Sequence, residues 1–243
     1  IRYGLGHAPI RHAAAIRADL ARVAVAPVMR PDPNGTASLP LPSDRVGMPA
    51  FSDRAFDAWF TVQRAPDLPA DQPLYGYGLY GEQRSVYMAD QYRDASGPEP
   101  RSRHLGIDIF APAGTMVCAP LPGRVHRVAY NADPLDYGHT VILEHRTAEG
   151  LPFWTLYGHL GAPLPGLAEG AEIAIGQDLA PLGDWHENGG WAPHLHVQII
   201  TSLLTQTGGN FFGVGHDSLW SVWSDISPDP NLILRLPDAV FGR

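Results

Sequence analysis

The chain has 243 residues, enough for one large domain or a domain with a substantial extension, and its formal net charge is -8, which argues against a general affinity for nucleic acid or anionic membranes. All 17 cationic residues are Arg, so neither a Schiff-base lysine nor a P-loop lysine is present. Cys118 is the only cysteine, which excludes an internal disulfide framework or thiolate zinc cluster, and no apolar run reaches the roughly 18 residues of a membrane span.

In chain order, residues 8–24 place Ile10, Ala13, Ile16, Leu20 and Val23 at helical spacing and predict a short amphipathic helix. The run from Pro31 to Pro49 is rich in Pro, Gly and Ser and reads as an extended linker or an arm lying on a neighbour. Ser52 is placed to cap a second helix in which Phe56, Trp59 and Phe60 share a face. Residues 65–103 are turn-rich. Within them Gly76-Tyr-Gly-Leu-Tyr-Gly81 matches a dinucleotide-binding pattern letter for letter, but no strand-like run precedes it and no helix follows, so it predicts tight turns displaying Tyr75, Tyr77 and Tyr80.

From about 104 to 200 the chain changes to short apolar runs separated by Gly and Pro: GIDIFAP, TMVCAP, GRVHRVAY, HTVILEH, FWTLYGH, AEIAIG and HLHVQII. This predicts a compact domain of many short strands, with Cys118 a small apolar residue in one of them. Beyond it, Asp217 is placed to cap a short helix bearing Leu219, Val222, Trp223 and Ile226, which PDPN at 228–231 ends. The tail 201–243 is expected to pack on the β core, or to border a cleft with Trp220 and Trp223. Beginning at Ile1, with no Met and no signal peptide, the chain reads as a fragment or a processed product.

The residues that carry chemistry lie in the last strand-like run. His194, His196 and Gln198 alternate with Leu195, Val197 and Ile199, the period-two pattern of a strand with one buried and one working face. Two other sites answer this pair, His104 with Asp108 in RHLGIDIF and His159 in LYGHL. A straight strand would hold His104 and Asp108 roughly 13 Å apart, and Gly106 followed by β-branched Ile107 and Ile109 disfavours a helix. A bend near Gly106 is therefore predicted, bringing His104 back over the strand that carries Asp108. Two imidazoles and one carboxylate leave an open position for water, as in a catalytic zinc site. His159 and His194 remain for proton handling and oxyanion stabilisation.

The succession His104-x-x-x-Asp108, Leu156-Tyr-Gly-His159-Leu and His194-x-His196 resembles the lysostaphin-like or LytM-type zinc metallopeptidases, over roughly residues 101–200. The resemblance implies one Zn2+ per chain held by His104, Asp108 and His196, with His159 and His194 as the catalytic pair. It implies a mainly β fold with an antiparallel β-sheet groove of the LytM-like (duplicated hybrid motif) type, and cleavage of slim, often glycine-containing peptides. The chain departs from the family at Ala192-Pro193, where a Gly is common, in the bulky loop 184–191, and at His139, where an Asn is common. These departures bear on the groove walls and leave the ligand set intact. Residues 1–100 and 201–243 then form N- and C-terminal extensions carrying short helices. They look like a version of this domain embedded between a kinase-like and a class III aminotransferase-like domain, which implies a cytoplasmic setting, the periplasm or cell envelope being the alternative, and a peptide or small amide substrate, with no nucleic acid and no membrane insertion.

Two other functions share these residues. A retained metal site without turnover would make the domain a scaffold, and a His/Asp/His set with open positions also describes non-haem iron oxygenases. The two spare histidines favour hydrolysis. His7, His12, His126, His139, His145, His186 and His216 are read as surface or core residues, with His139 and His145 close enough in sequence to strand motifs to approach the site.

Overall fold

The computed structural model describes residues 12–69, 72–84 and 99–241. Short β-branched and aromatic runs punctuated by turn residues form strands, and the elements follow in this order: α1 (Ala13–Leu20), β1 (Met29–Arg30), β2 (Ser38–Pro40), α2 (Ala55–Thr61), β3 (Tyr75–Gly78), β4 (Arg101–His104), β5 (Ile107–Phe110), β6 (Met116–Cys118), β7 (Gly123–Asn131), β8 (Gly138–Arg146), β9 (Pro152–Leu160), β10 (Glu172–Ile173), β11 (Asp178–Pro181), β12 (His194–Ile200), β13 (Val214–His216), α3 (Trp220–Ile226) and α4 (Asn231–Leu234). Strand outweighs helix, 31% to 15%, so the mainly β expectation holds.

The largest sheet has the order β10-β7-β8-β9-β12-β5-β3-β2, antiparallel throughout except for the parallel β2–β3 pair. One face carries Ile107, Ile109, Val141, Leu143, Tyr157, Leu195, Val197 and Ile199. These pack in one cluster with Met29, Val117, Leu179 and Ala180 of the three-stranded sheet β1-β6-β11. Each such side chain taken from water contributes roughly 1.5–3 kcal/mol, so this interior fixes the pleat and decides which residues face the other way. On the opposite face Ile142, Leu156 and Ile200 are covered by Val222, Trp223 and Ile226 of α3. The tail thus packs on the β core as expected. Trp223 is buried in this cluster and Trp220 packs beside Tyr80.

Several local expectations need correction. The helix predicted over 8–24 is observed as α1; Ile10 and His7 lie outside the described residues, as does the part of the turn-rich stretch from 85 to 98. Tyr75 and Tyr77 do not stand on tight turns but lie inside β3, buried. Glycine is needed at the alternate positions because side chains crowd them: a Cβ at Gly76 would sit 2.4 Å from Leu41 and one at Gly78 2.4 Å from Arg84. The Pro-rich arm contributes β2 and the buried Leu41, so it lies along the sheet edge. Asp53, not Ser52, accepts the Ala55 N–H at the start of α2. Asp217 spends its carboxylate on Arg103 instead of a helix cap, and Asn231 of the PDPN stretch begins α4. Cys118 is the buried strand residue expected of it.

His145 stands away from any metal ligand, donating from Nδ1 to Pro122 O (2.8 Å) and accepting at Nε2 from Thr155 Oγ1 (2.8 Å). Burial pushes its pKa down to about 4, against smaller opposing effects of the Pro122 carbonyl and Glu144. Above the unfolded value of about 6.5 both states are neutral; as pH falls from there to about 4 only the unfolded chain gains the proton, so stability is lost across that window, by about 3 kcal/mol in all. His145→Asn is expected to flatten this part of the pH dependence of the urea midpoint. An unchanged slope in the variant would show that other groups govern it.

Candidate metal centre and active site

The register of β12 against β5 sets His196 opposite Asp108 and His194 opposite Phe110. Leu195, Val197 and Ile199 fill the core below, so His194, His196 and Asp108 share the other face. That face is not open along its whole length as a working face would be; every residue of β12 is buried. His104 ends β4, which belongs to a separate two-stranded sheet with β13, and the chain passes through Leu105 and Gly106 into β5. The glycine is required by close approach: a Cβ there would lie 2.4 Å from His196 Cε1 and 2.7 Å from the Val197 carbonyl oxygen.

This packing brings His104 Nε2 within 3.1 Å of His196 Nδ1 and 3.3 Å of Asp108 Oδ1, and His196 Nδ1 within 2.9 Å of the same oxygen. Four ligands on bonds of about 2.0–2.1 Å stand roughly 3.3–3.4 Å apart at the corners of a tetrahedron, so the three buried donors fit a zinc-sized ion. Their other nitrogens fit too. His104 Nδ1 donates to Leu79 O (2.9 Å), and His196 Nε2 to Gln198 Oε1 (3.1 Å). The Gln198 amide nitrogen is spent on Phe212 O and Ser227 Oγ, so its oxygen must face His196. Both imidazoles are thereby held in the tautomer that turns a lone pair toward the metal position.

His159 reaches the site by an irregularity. Leu160 pairs with His139 and Tyr157 with Val141, so two β9 residues, Gly158 and His159, oppose the single Thr140. His159 has φ +60°, the left-handed region that non-glycine residues avoid. This bulge keeps Tyr157 and Leu160 in the core while aiming the imidazole outward. His159 Nδ1 donates to Asn188 O (2.9 Å) and His194 Nδ1 to Ala192 O (2.7 Å), leaving each Nε2 for the site. The two rings lie 4.2 Å apart between centroids, and His194 Nε2 is 3.8 Å from Asp108 Oδ2.

Burial dominates the protonation of this cluster. It pushes His194 down to about 4 despite Asp108, and holds His159 well below the ordinary imidazole value, assisted by His194. Both are neutral near pH 7 and able to accept a proton. Burial opposes ionisation of Asp108, yet His104, Arg84 and His194 together hold its carboxyl well below the usual carboxylate range.

A cleft of about 530 Å³ opens beside His159 and His196, walled by Tyr137, Trp191, Phe211 and Phe212. The bulky loop 184–191 supplies Trp191 and the Asn188 carbonyl. Asn188 is fully buried and braces the loop, accepting from Gly190 N and Trp191 N and donating to Gly183 O. His139 stacks on Tyr130 and His145 is occupied as described above, so neither contacts the five site residues. Sequence reasoning did not assign roles to Gln198, Asn188, Tyr137 or Arg84. Gln198 alone had a signal, standing on the same strand face two residues after His196.

Comparison with known proteins finds similar sequences and structures. The sequence model described as Peptidase family M23 matches residues 102–207. An "Uncharacterized metalloprotease" of Haemophilus influenzae is 35% identical over 126 residues, which is 51% of this chain but 24% of that protein, so the chain spans about a quarter of the length of this curated relative. Among solved structures, a zinc-containing peptidase from Vibrio cholerae is 24% identical with TM-score 0.34, covering 46% of this chain and 34% of its own. The catalytic domain of lysostaphin from Staphylococcus simulans is 22% identical with TM-score 0.39, covering 63% and 99%. The matched segment contains His104, Asp108, His159, His194 and His196, so residues 102–207 are similar in sequence to peptidase family M23.

Proposed function

We propose that the chain is a zinc-dependent hydrolase that cleaves a peptide or amide bond with metal-activated water. The observation that carries this reading is the pairing of an open three-donor set with two further buried, neutral histidines whose Nε2 atoms are left for the site. His104 Nε2, Asp108 Oδ1 and His196 Nδ1 would hold the ion. Zinc bound there lowers the pKa of its water to about 7.

The remaining work falls to the chain itself. One of His159 and His194 accepts the proton of the attacking water at Nε2, and the other takes up a proton from solvent at Nε2 as negative charge develops, donating a hydrogen bond to the oxyanion as an imidazolium. The carbonyls of Asn188 and Ala192 keep both rings from turning away. Trp191, Tyr137 and Phe212 wall the cleft and would favour a slim backbone over bulky side chains.

The test is direct. Protein loaded with zinc and freed of excess is expected to hold about one ion per chain and to cut glycine-containing peptides or small amides, followed by mass spectrometry, with cleavage abolished by a chelator and restored by zinc. Stoichiometric zinc without cleavage of any peptide or amide would overturn hydrolysis in favour of a metal-bearing scaffold. Failure to take up zinc would overturn the metal reading itself.

A further inference from the structure

Asp108 has two carboxylate oxygens with different surroundings. Oδ1 faces His104 and His196, whereas Oδ2 accepts from Arg84 Nη1 at 2.6 Å. Arg84 is 3% exposed, and its Nε donates to Glu82 Oε1 at 2.7 Å. Glu82 is itself fixed, accepting from Ser43 N (3.0 Å) and Leu79 N (3.3 Å). The whole stretch 79–84 runs along β4: Gly81 N donates to His104 O, His104 N to Glu82 O and Arg84 N to Ser102 O. The same stretch supplies the Leu79 carbonyl that fixes the His104 ring. All of these supporting groups precede residue 102, where the family match begins.

The route from Arg84 to Asp108 crosses β3. Gly78 pairs with Asp108 in the β3–β5 register, and a Cβ on it would lie 2.4 Å from Arg84 Nη2 and 3.2 Å from Asp108 Cβ. A side chain at 78 would displace the guanidinium. The glycine therefore opens the slot through which Arg84 reaches the carboxylate.

We infer that Arg84 is a positioning residue for the metal centre, holding Asp108 Oδ2 so that the carboxylate binds metal through Oδ1 alone. The inference rests on the metal-binding part of the proposed function. A carboxylate held at one oxygen by a buried arginine cannot swing into two-oxygen ligation, and this preserves the open position for water. A lone charge would not do as much, because the guanidinium is also anchored through Nε to Glu82, giving a rigid planar link. Carboxylate ligands of metals are characteristically oriented by such outer partners, whose loss costs about 10–100-fold in metal affinity.

The test uses the whole chain loaded with Co2+, whose visible absorption reports coordination number. Arg84→Met is expected to bind cobalt about 10–100-fold more weakly and to show a weaker visible band, because Oδ2 is then free to join the ion. Arg84→Lys should fall between the two, and Gly78→Ala, which keeps the arginine but fills its slot, should reproduce the Arg84→Met spectrum. Thermal melts of the metal-free proteins check folding, and Gly78→Ala decides the matter if Arg84→Met does not fold. Spectra and affinities indistinguishable from the parent in the folded variants would overturn the role of Arg84 while leaving the metal site standing. A parent protein that binds no cobalt would overturn both.

Discussion

His159→Ala and His194→Ala are each expected to lower kcat by about 10²–10⁴-fold while the protein keeps its zinc. Neither imidazole belongs to the converging donor set, and each spends Nδ1 on a backbone carbonyl, so removing one leaves His104, Asp108 and His196 where they are. What is lost is the group at Nε2 that exchanges a proton or hydrogen bond with the reacting atoms. Because the two rings lie 4.2 Å apart and act on one tetrahedral centre, their effects should not multiply. The double variant should be scarcely slower than the worse single one. The decisive comparison is kcat beside zinc content by elemental mass spectrometry on the same samples. Full turnover in both single variants would remove the mechanism, and loss of zinc in step with activity would instead make these residues part of the metal site.

The convergence of His104, Asp108 and His196 was legible in sequence because strand periodicity is local. His194 and His196 share a face wherever HLHVQII forms a strand, and a residue pair split by a glycine that precedes β-branched residues has few ways to converge. His159 depended on more than periodicity. Only the bulge at Gly158–His159 turns its ring away from the core side of β9, and nothing in LYGHL announces a left-handed histidine.

The misreadings share one physical cause. Gly76-Tyr-Gly-Leu-Tyr-Gly81 was expected to form turns because no strand-like run precedes it and no helix follows it. In the fold, Gly76 and Gly78 serve close packing in a strand, where Leu41, Phe60 and Arg84 occupy the space of their absent side chains. Those neighbours come from other parts of the chain, so no local pattern reports them. The same holds for Arg84, which is separated from Asp108 by 24 residues and reaches it only because β3 lies beside β5. Ser52 and Asp53 differ for a smaller reason: α2 begins late enough that its N-cap is Arg54, and Asp53 just before it accepts the Ala55 N–H.

Gly106→Ala is expected to disable the metal centre with the addition of a single carbon. The new Cβ would stand 2.4 Å from His196 Cε1, 2.6 Å from His196 Nε2 and 2.7 Å from the Val197 carbonyl oxygen. None of these atoms has an easy retreat. The His196 ring is held by Gln198, which is anchored in turn to Phe212 and Ser227, and Val197 is in ladder register with Ile107 and Tyr157. The clash is relieved only by tilting the ligand ring or by parting β5 from β12. Parting the strands costs about 1–3 kcal/mol as overpacking, and either movement breaks the spacing of the three donors. The expected result is a lower Tm and zinc affinity reduced by at least the roughly 10–100-fold seen when ligands lose their orientation. Gly208→Ala is the matched control, since nothing lies within 4 Å of its added carbon. If Gly106→Ala bound zinc as tightly as that control, the close approach of the 105–106 turn to His196 would not be what brings His104 and Asp108 together.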